Sequence, residues 1–233
     1  MTGAVPRTGV IVAARMGSSR LPGKALKPIL GVPSLAFLLR RLRPSRLAAG
    51  IVLATTDRSA DDALAALAAD EGVPVFRGSE TDLVERYVGA AAAHGFDRVV
   101  RVTADCPFTD GASLDFCLSQ VAGLEPFDIA STKTVFPVGI DYELYDAACM
   151  AGLHRSAPLR ADDREHLTLY LYNNPARFTV RRFARPAGWA QPSIPLTLDT
   201  AEDYAVLSRI AETAGTIDAP VEAILAAAAA VAG

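Results

Sequence analysis

The chain has 233 residues, of which 51% are hydrophobic and 21% charged, and its 23 Lys and Arg against 26 Asp and Glu give a formal net charge of -3. This composition is typical of a globular protein with a sizeable core, and the near-balanced charge disfavours nucleic-acid or membrane-surface binding, which needs a positive field. The cysteines Cys106, Cys117 and Cys149 lack the spacing of a zinc site, so we expect free thiols in a reducing compartment.

The first half of the chain predicts alternating strands and helices. Short apolar, β-branched runs indicate strands, and amphipathic stretches indicate helices. In chain order, the predicted elements are strand 10–13, helix 33–43, strand 51–55, helix 60–70, strand 73–76, helix 81–94 and strand 99–103. Ser59 is predicted to cap the second helix, and Gly95 to close the third. This alternation predicts a mostly parallel sheet flanked by helices on both faces.

The second half of the chain is less regular. Its predicted elements are strands 128–131 and 140–145, helix 162–173, strands 178–183 and 194–198, and two C-terminal helices. We see no repeat, linker or hinge that would divide the chain. The sequence therefore predicts one domain over residues 1–233, with an inserted β-rich excursion at about residues 128–191.

Neither end of the chain has the pattern of a targeting or membrane segment. The first ten residues contain no apolar run long enough for a signal peptide. The apolar tail at residues 223–233 is about half as long as the roughly 20 residues that a membrane span needs. We therefore expect a cytoplasmic protein.

The segment AARMGSSRLPGK, residues 13–24, carries the strongest chemical signal. It follows the first strand, which is where open parallel sheets bind ligands. The segment combines two glycines, two serines and three cations: Gly17, Gly23, Ser18, Ser19, Arg15, Arg20 and Lys24. Glycines let backbone amides approach an anion, and the cations match phosphate oxygens. We predict that this loop holds a polyphosphate, against the alternative of a solvated basic turn.

Two familiar nucleotide motifs do not fit this loop. A Walker A loop needs four residues between its glycines and a Ser or Thr after its Lys. Here five residues separate Gly17 from Gly23, and Ala25 follows Lys24. The dinucleotide fingerprint G-x-G-x-x-G is also absent from the sequence.

Two acids follow predicted strands and are candidate metal ligands. Asp105 comes after strand 99–103 and Asp199 after strand 194–198. Both should emerge at the carboxyl edge of the sheet, facing the loop, where Mg²⁺ would find hard oxygen ligands beside substrate phosphates. The alternatives are that Asp105 is a turn residue and that Asp199 caps the helix from Thr200.

Two further pairs of polar residues are candidate substrate contacts. Asp141 and Glu143 lie two apart in a predicted strand, so their side chains share one face and could bond sugar hydroxyls. Glu165 and His166 lie in a mostly apolar helix, where His166 could orient substrate or transfer a proton. The alternatives are a solvated strand face for the first pair and a structural histidine for the second.

The loop and five later blocks together resemble one enzyme family. The blocks are GSETD with ERY at residues 78–87, RVTADCP at 101–107, GIDYE at 139–143, REHLT at 164–168 and LDTAEDY at 198–204. In this order they are similar to the CMP-sugar synthetases, the cytidylyltransferases that activate Kdo and neuraminate, and closest to their spore-coat polysaccharide branch. The sequence departs from the Kdo enzymes at Ala13, which replaces Pro, and at Ala104 and Cys106, which replace Gly and Glu.

The resemblance implies a Rossmann-like (GT-A-like) nucleotidyltransferase that transfers CMP from CTP to a sugar or acid sugar and releases pyrophosphate, for surface polysaccharide or glycan biosynthesis. It implies Mg²⁺ as cofactor, with Asp105 and Asp199 as its ligands, and a homodimer whose interface lies in the excursion. The implied catalytic residues are Arg15, Lys24 and Asp105. The implied nucleotide-binding residues are Ala13, Ala14, Arg15, Gly17, Ser18, Ser19, Arg20, Lys24, Asp82, Arg86 and Asp105. The alternatives are a metal-dependent nucleotide-sugar glycosyltransferase and a non-catalytic nucleotide-binding homologue.

Overall fold

The computed structural model describes residues 5–233. Residues 1–4 belong to the N-terminal segment on which the predicted cytoplasmic location partly rests, and they lie outside the described residues. Its strands are β1 (Thr8–Ala13), β2 (Pro28–Ile29), β3 (Val32–Pro33), β4 (Ile51–Thr56), β5 (Val75–Gly78), β6 (Arg98–Thr103), β7 (Ile129–Ser131), β8 (Glu143–Asp146) and β9 (Val180–Arg182). Its helices are α1 (Ser34–Leu42), α2 (Asp62–Asp70), α3 (Leu83–His94), α4 (Gly111–Ser119), α5 (Val121–Leu124), α6 (Ala147–Ser156), α7 (Ala161–Glu165), α8 (Leu169–Asn173), α9 (Ala201–Ala214) and α10 (Val221–Ala232).

Seven of these strands form one sheet in the order β5-β4-β1-β6-β8-β7-β9. The strands β5, β4, β1 and β6 run parallel, whereas β8 is antiparallel to both of its neighbours and β9 is parallel to β7. This confirms the predicted α/β fold with a mostly parallel sheet. The segment predicted as an inserted β-rich excursion contains β7, β8 and β9, which continue this sheet, and also the helices α6, α7 and α8.

Both faces of the sheet are covered, which explains why the interior strand β1 is apolar from Val10 to Ala13. Val10 and Val12 of β1 pack into one core, with α1, α2, α9 and α10 among its helices. Ile11, between them, packs into a second core on the opposite face, with α3, α6 and α8. All three side chains are fully buried. Since successive side chains of a strand point to opposite faces, a doubly covered strand requires an unbroken apolar run.

Several predicted elements differ from the structure. Residues 194–198 form no strand within the described chain; two of their amides donate instead to isolated carbonyls, Leu196 to Val138 and Leu198 to Asp105. Strand 140–145 begins only at Glu143. Ser59 does not cap α2, because it opens a 3-10 turn and α2 starts at Asp62.

The predicted helix 162–173 is interrupted, and the interruption has a physical cause. The segment forms α7 and α8, with a break at residues 166–168. There the Thr168 hydroxyl donates to the Glu143 carboxylate at 2.9 Å, which fixes the chain against the sheet. The break leaves Glu165 and His166 at the end of α7 rather than inside a continuous helix.

Glu143 was predicted to contact substrate, and the structure corrects this because its side chain lies in the core and only 2% of the residue is exposed. Its carboxylate accepts bonds from Arg101 at 2.7 Å, Lys133 at 2.9 Å and Tyr172 at 2.7 Å, besides the one from Thr168. Burial alone would raise the pKa of Glu143, but the charges of Arg101 and Lys133 and the Tyr172 bond lower it from 4.5 to about 2. Glu143 therefore joins the second half of the chain to β6.

All three cysteines, which lie in the described part of the chain, are free thiols as predicted. Among residues 5–233, no helix has both the length and the apolar character needed to cross a bilayer.

We predict that Glu143→Gln lowers the free energy of unfolding at neutral pH by about 3 kcal/mol, because it leaves Arg101 without its buried counter-charge. The native pKa of Glu143 is depressed, so its contribution is complete above the unfolded-state value of 4.5 and is lost as pH falls towards about 2. Urea unfolding of the variant should therefore show a weaker loss of stability in that acid range than the wild type.

The matched control is Asp62→Asn, which breaks an exposed ion pair with Arg77 and should cost less than about 1 kcal/mol. Equal stability of Glu143→Gln and wild type at neutral pH would contradict the proposed role of this carboxylate.

Candidate active site

A cavity of about 600 Å³ lies at the carboxyl ends of β1 and β6. These two strands pair in register up to Ala13 and Thr103, so the loop after β1 and the acid after β6 start side by side. Most of the predicted site residues line this cavity: Ala13, Ala14, Arg15, Gly17, Ser18, Ser19, Arg20, Lys24, Arg86, Asp105, Glu165, His166 and Asp199. The cavity wall also contains Glu80, Thr81, Leu83 and Thr103, which the sequence analysis did not select.

The loop after β1 presents backbone donors to the cavity. Its turn is closed by the Ser18 amide donating to the Met16 carbonyl at 2.8 Å, and Gly23 has the left-handed φ of +67°. The amides of Gly17 and Ser19 have no hydrogen-bond partner among residues 5–233, and a side chain at Gly17 would meet only open space. Free amides in a cationic loop are a ready site for an anion.

A buried carboxylate that the sequence analysis missed anchors this loop. Asp61, 3% exposed, accepts a bond from the Met16 amide at 2.6 Å. Its other oxygen accepts from the amide and the hydroxyl of Thr56, at the carboxyl end of β4. Asp61 thus ties the loop to the neighbouring strand. The sequence contained one signal for this role, an acid in the turn after a buried strand. It could not show that Asp61 bonds to Met16, because the two residues are 45 positions apart.

The two predicted metal ligands converge on one ammonium group. Lys24 Nζ donates to Asp105 Oδ2 at 3.1 Å and to Asp199 Oδ1 at 2.9 Å, and Arg20 also contacts Asp199 at 2.9 Å. Burial would raise the pKa of Asp105, but the charge of Lys24 and nearby hydrogen bonds bring it below its ordinary value. Asp105 is therefore held as a carboxylate.

The alternative role considered for Asp199 is wrong. The cap of α9 is Thr200, whose hydroxyl accepts from the Asp203 amide at 3.1 Å while the Asp203 carboxylate bonds back to the Thr200 amide. Asp199 lies one residue outside this capping box, so its side chain is available to the cavity.

The chemistry of this pair fits Mg²⁺. Mg²⁺ typically binds one or two carboxylates and completes its coordination with water and substrate phosphates. One oxygen of Asp105 and one of Asp199 lie within hydrogen-bond distance of the same Lys24 ammonium, so the two carboxylates are close enough to share a cation. Among residues 5–233 there is no group of three or more His, Cys, Asp or Glu that could hold a metal ion alone. The donor set therefore suits a cation that arrives with a phosphate ligand.

The far wall of the cavity carries a second set of charges. Arg15 forms an ion pair with Glu165 at 3.5 Å and donates to the Glu80 carbonyl at 3.5 Å. Glu165 and its neighbour His166, both candidate substrate contacts, thus line the cavity from the end of α7.

Arg86 is an unpartnered cation in the cavity wall. It is 3% exposed, and it forms no ion pair with the described residues. Its Nε atom has no hydrogen-bond partner in that part of the chain. Burial lowers the pKa of its guanidinium below the ordinary value. Since a buried charge without a partner is costly, such a group points to a ligand with acceptor atoms.

Two predicted contacts lie away from the cavity, and each has a structural partner instead. Asp82 caps α3, accepting from the Glu85 amide at 2.9 Å, and pairs with Arg164. Asp141 accepts from the Gly139 amide at 3.0 Å, and burial raises the pKa of its carboxyl. The structure therefore brings neither Asp82 nor Asp141, nor the buried Glu143, to the wall of this cavity.

Comparison with known proteins gives concordant matches. The family model described as Cytidylyltransferase matches residues 9–219. The spore coat polysaccharide biosynthesis protein SpsF of Bacillus subtilis is 35% identical over 212 residues, covering 88% of this chain and 86% of SpsF. A cytidylyltransferase structure from Leptospira borgpetersenii superposes with a TM-score of 0.86 at 31% identity, covering 94% and 93% of the two chains. CMP:2-keto-3-deoxy-manno-octonic acid synthetase, solved with CTP, has a TM-score of 0.64 at 19% identity and covers 87% of this chain and 97% of its own.

We predict that Asp61→Ala weakens binding of pyrophosphate about tenfold, because the loop loses the bond that holds its Met16 amide. Asp61→Asn keeps one oxygen for that amide and should retain most of the affinity. Isothermal titration of both variants with pyrophosphate measures the effect, and Asp62→Ala, on the exposed neighbouring residue, is the control. Equal affinity of Asp61→Ala and wild type would contradict an anchoring role.

Proposed function

The chain belongs to the cytidylyltransferase family, and from that premise we propose that it transfers CMP from CTP to a hydroxyl group of a sugar or acid sugar. The observation that carries the proposal is the meeting of Lys24, Asp105 and Asp199 beside a loop with free amides. The identity to SpsF, a protein of spore coat polysaccharide biosynthesis, supports a role in surface polysaccharide or glycan synthesis. The synthetase of the same fold that was solved with CTP supports CTP as donor.

The sheet order suggests how the nucleotide lies in the cavity. On one side of β1 is β6, which is followed by Asp105; on the other are β4 and β5, which lead to α3 and Arg86. We place the triphosphate at the loop, beside Lys24, and the base towards Arg86. A guanidinium in the cavity wall can donate to the carbonyl and ring-nitrogen acceptors of cytosine.

The reaction would be an in-line displacement at the α-phosphorus. The acceptor oxygen forms a bond to this phosphorus and releases its proton, while the bond between the α-phosphorus and the bridging oxygen breaks and pyrophosphate leaves. Negative charge grows on the leaving oxygens, so Arg15, Arg20 and Lys24 stabilise the transition state more than the ground state. Arg15 would exchange its exposed partner Glu165 for a phosphate.

Mg²⁺ fits the role of cofactor in this proposal. Asp105 and Asp199 would hold it, and when bound it would supply charge neutralisation to the phosphates. The acceptor would enter from the side of Glu165 and His166, which remain proposed substrate contacts. A homodimer with its interface in residues 128–191 and a cytoplasmic location stay predictions.

We predict that the wild type releases pyrophosphate from CTP in the presence of Mg²⁺ and a set of sugar and acid-sugar acceptors. Asp105→Asn should lower this turnover by about 100-fold or more, because the site loses a charged ligand and a partner of Lys24. Coupled pyrophosphate detection measures it, with Asp62→Asn as the surface control. Undiminished turnover of Asp105→Asn would contradict the assigned role.

A thermal-shift panel of nucleoside triphosphates and nucleotide-sugars separates the alternatives, since a ligand that binds the folded state raises its stability. Stabilisation by CTP above the other triphosphates supports CMP transfer. Stabilisation by nucleotide-sugars alone would favour glycosyl transfer, and binding of CTP without pyrophosphate release would favour a non-catalytic homologue.

We predict that Arg86→Met separates stability from nucleotide binding. Replacing an unpartnered buried charge by an apolar side chain of similar length should leave the melting temperature unchanged or higher. The same change should weaken CTP binding about tenfold, since it removes a buried donor to the base. Melting curves and CTP titration measure the two effects; a lower melting temperature with full CTP affinity would contradict the assignment.

A further inference from the structure

The ammonium group of Lys24 lies between the two carboxylates that would hold a divalent cation. It contacts one oxygen of Asp105 at 3.1 Å and one of Asp199 at 2.9 Å, and the same carboxylates are the proposed ligands of Mg²⁺. The Lys24 side chain is largely buried, with 17% of its surface exposed. An ammonium and a metal ion cannot both occupy the space between these oxygens, so Lys24 and the cation compete.

The charge balance of the site strengthens this competition. Asp105 and Asp199 are matched by Lys24 and Arg20, so the four side chains are neutral together. A free divalent cation would add two positive charges to a site that already holds two cations. A divalent cation bound to a triphosphate carries a net negative charge, and its phosphate oxygens give Lys24 and Arg20 new partners. The electrostatics therefore favour the complex over the free ion.

The Lys24 side chain can exchange its carboxylate partners for phosphate oxygens while its backbone stays in place. Its backbone is fixed, because its amide donates to the Leu21 carbonyl at 3.2 Å and its carbonyl accepts from the Ser34 hydroxyl at 2.9 Å. Its side chain is a flexible four-carbon stem whose ammonium has no directional fork, unlike that of arginine. The group can thus swing from carboxylate to phosphate while the loop stays in place.

We propose that Lys24 makes this site select the metal–nucleotide complex over the free metal ion. Its ammonium holds Asp105 and Asp199 together until a polyphosphate accepts it, and only then are the carboxylates released to a divalent cation. This inference rests on the proposed function and adds a specificity role for Lys24 beyond stabilising the leaving group.

Binding of Mn²⁺ alone, without nucleotide, tests the proposal by electron paramagnetic resonance of the free ion. Lys24→Met should bind Mn²⁺ about tenfold or more tightly than the wild type, because the competing charge is gone. Lys24→Arg keeps the charge and should stay weak. The matched control is Lys27→Met, three residues on, whose ammonium lies over the Tyr204 ring at 5.2 Å and not at the carboxylates.

The double variant Lys24→Met/Asp105→Asn should lose the gained affinity, which locates the ion at these carboxylates. If Lys24→Met folds poorly, Lys24→Gln is the second variant, and its melting temperature should rise more steeply with Mn²⁺ than that of the wild type. Mn²⁺ binding by the uncharged Lys24 variants that is no tighter than in the wild type would overturn the proposal.

Titration with Mn²⁺–CTP completes the test, since the preference for the complex over the free ion should fall by about tenfold or more in Lys24→Met. An unchanged preference would overturn the inference. The proposed function fails by a separate result, the absence of pyrophosphate release from CTP by the wild type, which the comparison of free Mn²⁺ affinities does not depend on.

Discussion

The contact of Lys24 with Asp105 and Asp199 is the constraint on which the rest of the site depends. It joins residues that are 81 and 175 positions apart in the sequence. Three different supports deliver them: the loop after β1, the end of β6, and the irregular segment before α9. Because like charges repel, a cation between the two carboxylates stabilises their approach. The apolar, doubly covered sheet holds the first two supports in register, and the third is bonded to the second through the Asp105 carbonyl.

The third support is an irregular segment whose position is fixed by backbone contacts. Residues 194–198 have no ladder within the described chain, yet Leu198 donates to the Asp105 carbonyl at 2.8 Å. On the other side, Gly139 adopts φ +93°, and a Cβ there would lie 2.3 Å from the Leu196 backbone. Only glycine permits both this conformation and this approach. The position of Asp199 is therefore set by a backbone bond and by the absence of a side chain at Gly139.

The sequence predicted the parts of the site that follow from periodicity. Apolar runs identified the parallel strands, and the carboxyl ends of parallel strands meet at one edge, so the loop and Asp105 were expected to be neighbours. Asp199 was also placed there correctly, although its supporting segment is not a strand. Asp82 was expected at the site because its motif block resembles that of a family, and Asp141 and Glu143 were expected there because they share one face of a predicted strand. Local pattern could not show the ion partners of Asp82 and Glu143, since Arg164 and Arg101 come from distant elements, whereas Asp141 is bonded locally to the Gly139 amide.

Three buried charges show what separates a structural group from a ligand-binding one. Asp61 and Glu143 are buried acids, and each accepts hydrogen bonds from several neighbouring groups. These bonds offset the cost of removing the carboxylates from water. Arg86 is buried to the same extent but lacks such compensation. An uncompensated buried charge is costly to folding, and the position of Arg86 in the wall of the cavity places that charge where a ligand could partner it. In the proposed function a polar ligand partners this group, and Arg86, rather than the loop cations, is the side chain placed towards the base.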